Sequence, residues 1–130
     1  MEKKAITGAG IKTPLHKLTS CIELGDVVIT SGVSPKDFVT NEWKVGMHDQ
    51  ALQCLKNIKI YIEAAGAKLE DLVIVEVFIN DVRYYDEFNK VWNEFFADFE
   101  CPPTRSTFQV GLLAPNMHIE MKAIAVKQHK

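Results

Sequence analysis

The spacing of apolar residues along this chain changes period several times, and each change marks an element. SCIEL (20–24) and VVITS (27–31) are β-prone and flank the two-residue step Gly25-Asp26, which suits a tight hairpin turn. Gly32 to Asn41 then reads as a loop, with Pro35, Asp37 and Asn41 as turn formers. From about Trp43 to Ala65 the period becomes helical. Met47, Ala51, Cys54 or Leu55, Ile58, Tyr61 or Ile62 and Ala65 recur at steps of three and four, and Gly66 follows where a left-handed cap is cheapest. VIVEVFIN (73–80) is β-branched, aromatic and almost wholly apolar, the pattern of a strand covered on both faces. A second helix is expected from about Val82 to Phe96, with Asp81 as its N-cap and Tyr85, Phe88, Val91 or Trp92 and Phe95 on one side. Two strands close the chain, roughly Ser106–Gly111 and His118–Val126, joined by a loop holding Pro115 and Asn116.

The order is β-β-α-β-α-β-β, with room for an extra strand near Ala5. Helices set between strands of one sheet give a two-layer α/β sandwich. No repeat or composition break divides residues 1–130, so one domain is expected. Two helices cover one sheet face only. In IEMKAIAV, Ile124 and Val126 place apolar groups on the face opposite the regular alternation, and oligomerisation is the usual remedy for such a bare face.

Composition narrows the functional classes. At 47% hydrophobic and 25% charged the chain reads as an ordinary globular domain, and a net charge of −2 supplies no general pull toward nucleic acid or anionic lipid. Cys21, Cys54 and Cys101 are odd in number and far apart, which fits free thiols in a reducing cytosol better than a disulfide framework or a metal pair. No apolar run reaches signal-peptide or membrane-span length, so a cytoplasmic protein without membrane contact is expected.

The candidate chemistry is sparse. His16, His48, His118 and His129 show no metal-ligand spacing, TSGVS (30–34) is not a serine-nucleophile signature, and TGAG (7–10) does not join a strand to a helix as a phosphate loop would. Neither metal nor cofactor is expected. Arg105 stands out in CPPTRSTFQV (101–110), flanked by small hydroxyl residues and with no acid within four positions on either side. Such an arginine reaches a distant acid in the fold or awaits an anionic ligand. On the last strand His118, Glu120 and Lys122 share one face. The plain reading makes Glu120 a solvated position paired with Lys122 and Arg105 a structural salt bridge; the functional one needs both at one cleft, and spacing alone does not decide.

CPPTRSTFQVGLLAPNMHIEMKAIAV resembles the C-terminal signature of the Rid family, the reactive-intermediate or imine deaminases of YjgF type, formerly labelled L-PSP endoribonucleases. GDVVITSGVSP resembles the family's hairpin and Ser-Gly loop, and NIKIYIEAAGAKLEDLVIVEVFIND with YYDEFNKVWNEFF resembles its helix-strand-helix core, so the similarity runs from about residue 14 to 126. It implies a chorismate-mutase-like two-layer sandwich, a mixed sheet with two helices on one face, assembled as a homotrimer around a central barrel. It also implies hydrolysis of 2-enamino and 2-imino acids to 2-keto acids and ammonia in clefts between subunits. Carried onto this chain, Arg105 binds the carboxylate, Glu120 orients water, and Thr107, Ser31 and Asn89 line the site. Many members carry Pro-Tyr-Ser before the first hairpin with the tyrosine in the cleft; Leu18 falls there, within PLHKLTS. That substitution implies weaker turnover, a bulkier apolar substrate, or a non-catalytic small-carboxylate binder. Endoribonuclease or translation-inhibitor activity is the least favoured, because basic residues interleaved with strand aromatics are missing.

Overall fold

Alternation of β-branched and polar residues draws six segments into one sheet. In the computed structural model, which describes residues 1–8, 11 and 13–129, these are β1 (Lys3–Ala5), β2 (Cys21–Leu24), β3 (Val27–Thr30), β4 (Leu72–Ile79), β5 (Thr104–Gln109) and β6 (Ile119–Val126). The helices are α1 (Met47–Ala64) and α2 (Tyr85–Phe95). The sheet order is β1-β2-β3-β6-β4-β5, with β4 and β5 parallel and every other pair antiparallel. The fold is therefore the α/β sandwich expected, with a mixed sheet and the added strand near Ala5. The last two strands are not neighbours, because β4 lies between them. Of the TGAG stretch, Ala9 and Gly10 lie outside the described residues.

The buried stripe of α1 is the one its period implies: Met47, Ala51, Cys54, Leu55, Ile58 and Ile62 are all sealed from solvent against the sheet and α2. The helix nevertheless starts four residues later than Trp43. Gly46 holds a φ of 84, which no continuing helix allows, and Trp43 is drawn into a bridge with Lys36. At the other end Gly66 takes φ 83 and closes the helix as expected, its N–H donating to Glu63 O at 3.0 Å. The second helix opens with a 3-10 turn, Val82–Tyr84, capped by the Asp81 carboxylate, which accepts from Arg83 N at 2.9 Å. β5 begins at Thr104 rather than Ser106, because parallel pairing with β4 starts at Ile74↔Thr104 and the Thr104 hydroxyl donates to Val73 O at 2.8 Å. Arg105 is thus inside a strand, and that strand is an edge of the sheet.

Only one face of β4 is covered. Val75, Val77 and Ile79 are buried under the helices, whereas Ile74 remains 39% exposed on the other side. The continuous apolar run therefore leaves an open face, where Phe78 stacks on Phe108 at 5.9 Å between ring centres. Among the described residues, no helix is long and apolar enough to cross a membrane.

Candidate active site

Register decides where the candidate side chains point. In β5, Arg105 stands level with Val75 and Thr107 with Val77, so both share the buried, helix-covered face. Arg105 consequently projects onto α2, where Tyr85, Phe88 and Trp92 follow one another at i, i+3 and i+7 along one stripe. Its Cζ lies 4.9 Å from the Phe88 ring centre, 5.1 Å from Trp92 and 5.7 Å from Tyr85. Its Nη2 donates to the Tyr85 hydroxyl at 3.0 Å. Among the described residues, no carboxylate forms an ion pair with it. Of the two roles open to Arg105 in the sequence, the intramolecular salt bridge is therefore absent. Stacking occupies the flat faces of a guanidinium and leaves its N–H edge available, so this aromatic cradle aims the cation without neutralising it.

Thr107, two residues on, has a buried Oγ1 with no hydrogen-bond partner among the described residues, a cost that a ligand or water would relieve. It borders a small cleft of about 260 Å³ shared with Tyr85, Ile79, Val82 and Phe108. Asn89 is half-buried on α2, beside Phe88 and four residues past Tyr85.

Glu120 stands level with Phe78 in β6 and so belongs to the open face, opposite to Arg105. It is half-buried, and burial pushes its carboxyl above the ordinary glutamate value. Lys122, the partner available in the sequence, makes no ion pair with it. The carboxylate instead lies over Gly32, where a Cβ would come 1.9 Å from Oε2. A bulge creates that space. Ile29 pairs with Ile124 but Val33 with Met121, so β3 carries one residue more than β6 across this step. The Thr30 hydroxyl fills the broken ladder by accepting from Ala123 N at 3.0 Å, and Gly32 beyond it is exposed. Ser31 then ties down the preceding segment, its Oγ donating to Thr19 O at 2.6 Å and its N–H to Ser20 O at 2.8 Å. This places Leu18, 53% exposed, at an open cleft of about 460 Å³ with Ile22, Ile29, Ser31, Gly32 and Lys122.

The six candidates therefore form two groups. Arg105 and Thr107 lie on the helix side of β5, with Asn89 on α2; Glu120, Ser31 and Leu18 lie on the open face around the bulge. Within one chain the groups do not meet. Two further elements of the site escape the sequence: the aromatic cradle, whose stripe reads as ordinary core, and Gly32, which reads as a loop glycine. Three aromatics on the α2 stripe, with a tyrosine at its exposed end, are the one available signal.

A family model described as endoribonuclease L-PSP matches residues 10–127. The 2-iminobutanoate/2-iminopropanoate deaminase of Escherichia coli (strain K12) is 36% identical over 108 residues, covering 82% of this chain and 84% of the relative. A RutC family protein of Saccharolobus solfataricus is 34% identical over 116 residues, covering 88% of this chain and 90% of its own. Among solved structures, E. coli TdcF with bound serine superimposes with a TM-score of 0.89 at 32% identity, covering 96% of this chain and 99% of that one.

Proposed function

Since this chain belongs to the Rid (YjgF) family, its model matching residues 10–127, we propose that it hydrolyses 2-imino and 2-enamino acids to 2-keto acids and ammonia. One observation carries the reading: a half-buried arginine, cradled by aromatic rings, with a single side-chain hydrogen bond and no acidic partner among the described residues. A planar guanidinium left in this state matches the fork of a carboxylate. The serine held by the E. coli TdcF structure carries such a carboxylate.

With the carboxylate on Arg105, the imine carbon lies next to it by covalent geometry. Glu120 takes a proton from water as the water oxygen bonds to that carbon and the C=N π electrons move to nitrogen. The protonated Glu120 returns that proton to nitrogen, giving a carbinolamine; the carboxylate then takes the hydroxyl proton and passes it to the nitrogen as the C–N bond breaks, so that ammonia leaves as the carbonyl forms. A carboxyl raised by burial is a better-matched base near neutrality than a solvated one. The reading requires two copies, because Arg105 and Glu120 occupy opposite faces of the sheet. Arg105 lies on edge strand β5, so the open face of a second copy packed against that edge would complete the cleft. A homotrimer that buries the exposed Ile74 and Phe108 supplies this arrangement.

Leu18 favours one second reading. Its apolar side chain, at the place where relatives of this family often carry a tyrosine, supports a cleft that binds small carboxylates without turning them over. Decay of imines produced by an amino-acid oxidase, followed by semicarbazide trapping, separates the two. The deaminase reading expects accelerated decay that Arg105→Ala reduces about 30-fold or more in kcat/KM, from the loss of a desolvated charge contact. No acceleration by the parent, with a 2-keto acid still bound, would leave the binding reading standing.

A further inference from the structure

Of the three aromatics in the cradle, Tyr85 alone carries a hydroxyl, and that hydroxyl meets the guanidinium edge. We infer that it is a second ligand for the substrate's carboxylate, acting beside Arg105; the inference rests on the reading that Arg105 holds that carboxylate. Three features point to it.

The first is the direction of the hydrogen bond. A guanidinium donates and never accepts, so the phenol oxygen accepts from Nη2 at 3.0 Å and its own proton remains uncommitted. No other hydrogen bond of the Tyr85 side chain exists among the described residues. The second is that the ring contributes least to the stacking. Tyr85 lies 5.7 Å from Cζ, close to the limit at which a cation and a ring attract, whereas Phe88 and Trp92 lie at 4.9 and 5.1 Å. Its main contact with Arg105 is therefore the hydroxyl. The third is exposure. Phe88 is sealed from solvent and Trp92 nearly so, but Tyr85 is 40% exposed and borders the cleft beneath which the unpartnered Thr107 Oγ1 lies.

These features define a carboxylate seat. Without ligand, the phenol oxygen occupies one donor on the guanidinium edge, as one oxygen of a carboxylate would. On binding, the carboxylate takes the rest of that edge. The phenol, still accepting from Arg105 and polarised by it, gives its own proton to the nearer carboxylate oxygen. Arg105 supplies charge and Tyr85 supplies an oriented neutral donor, which favours a planar carboxylate over other anions. No proton is transferred. The role is binding, so the effect belongs in KM and in the affinity for product.

Tyr85→Phe keeps the ring and removes only the hydroxyl. Binding of pyruvate and 2-oxobutanoate, measured by calorimetry on the assembled protein, should weaken about tenfold, the loss expected for one hydrogen bond to a charged group. KM for the corresponding imines should rise by a similar factor with kcat held within about twofold, and in an Arg105→Lys background the hydroxyl's effect should shrink toward none. A purely structural tyrosine would not show that dependence on its neighbour. Tyr85→Phe binding both keto acids at parental strength while Arg105→Ala loses them overturns the inference and leaves Arg105 in place. Arg105→Ala binding as tightly as the parent overturns the underlying reading and the inference with it.

Discussion

Gly32→Ala tests the placement of the Glu120 carboxylate without altering its chemistry. The added Cβ would stand 1.9 Å from Oε2 and 2.8 Å from Cδ, whereas ordinary contact begins at 3.4 Å. The carboxyl oxygen must therefore retreat by about 1.5 Å, the difference between 1.9 and 3.4 Å. Gly32 is exposed and its φ is not in the left-handed region, so alanine fits the backbone; the atom that must yield is the far end of a flexible side chain. Stability should change by no more than about 1 kcal/mol, as for surface substitutions away from special backbone. The chemical step should suffer far more. A displacement of about 1 Å at a reacting group costs on the order of a hundredfold in rate, so kcat for imine hydrolysis should fall about that far. Keto-acid affinity should fall far less, because the carboxylate is anchored by Arg105 of the neighbouring copy and the displaced group is Glu120. The assay combines stopped-flow imine decay with calorimetry on one preparation. A folded Gly32→Ala protein with kcat within threefold of the parent would refute the claim that the placement of Glu120 matters.

Three further outcomes follow from the same geometry. Burial raises the Glu120 pKa, so the folded state holds that proton more firmly than the unfolded chain, and ionised Glu120 costs stability that returns as pH falls through the raised value. Glu120→Gln should therefore raise Tm at pH 7 and lose that advantage near pH 4, around the unfolded-chain value of about 4.3; scanning calorimetry at fixed protein concentration showing an equal gain at both pH values would contradict this. Arg105→Lys keeps the charge but not the fork and should recover less than about a tenth of the kcat/KM lost by Arg105→Ala, which parallel kinetics will test. Light scattering should give three times 14.7 kDa, and co-refolding impaired Arg105→Ala with impaired Glu120→Gln protomers should restore activity above that of either variant alone; mixed trimers that stay at the level of the single variants would sink the cleft shared between copies.

The elements were legible where local physics dominates. The stripe of α1, the Gly66 cap and the β2–β3 hairpin depend on period and turn chemistry within a few residues. What escaped depends on partners distant in sequence. The start of α1 is set by the Lys36–Trp43 bridge and by Gly46, against an apolar period that runs on through Trp43. β5 begins at Thr104 because β4 offers Ile74 and Val73 as partners, contacts 30 and 31 residues away in sequence. For the site, Arg105 was identifiable by its lack of nearby acids, but its face was not, since one residue of register would move it to the other side. Gly32 was invisible as part of the site because its value lies in the side chain it lacks.

Two buried amides on α1 have a mechanical consequence for the chain. The Asn57 Nδ2 donates to Ser34 O at 2.9 Å and Lys36 O at 2.7 Å, while the Gln50 Nε2 donates to Lys44 O at 3.0 Å and Asn116 O at 2.7 Å, and its Oε1 accepts from His118 N at 2.7 Å. The loops so held lack ladder bonds along most of their length, and their order is borrowed from the helix. They cannot open independently without stranding polar groups in the interior. The segment after the bulge, the connection into α1 and the approach to β6 thus belong to one cooperative unit with the helix, and their slow opening will track the melting of α1 rather than the fraying of a surface loop.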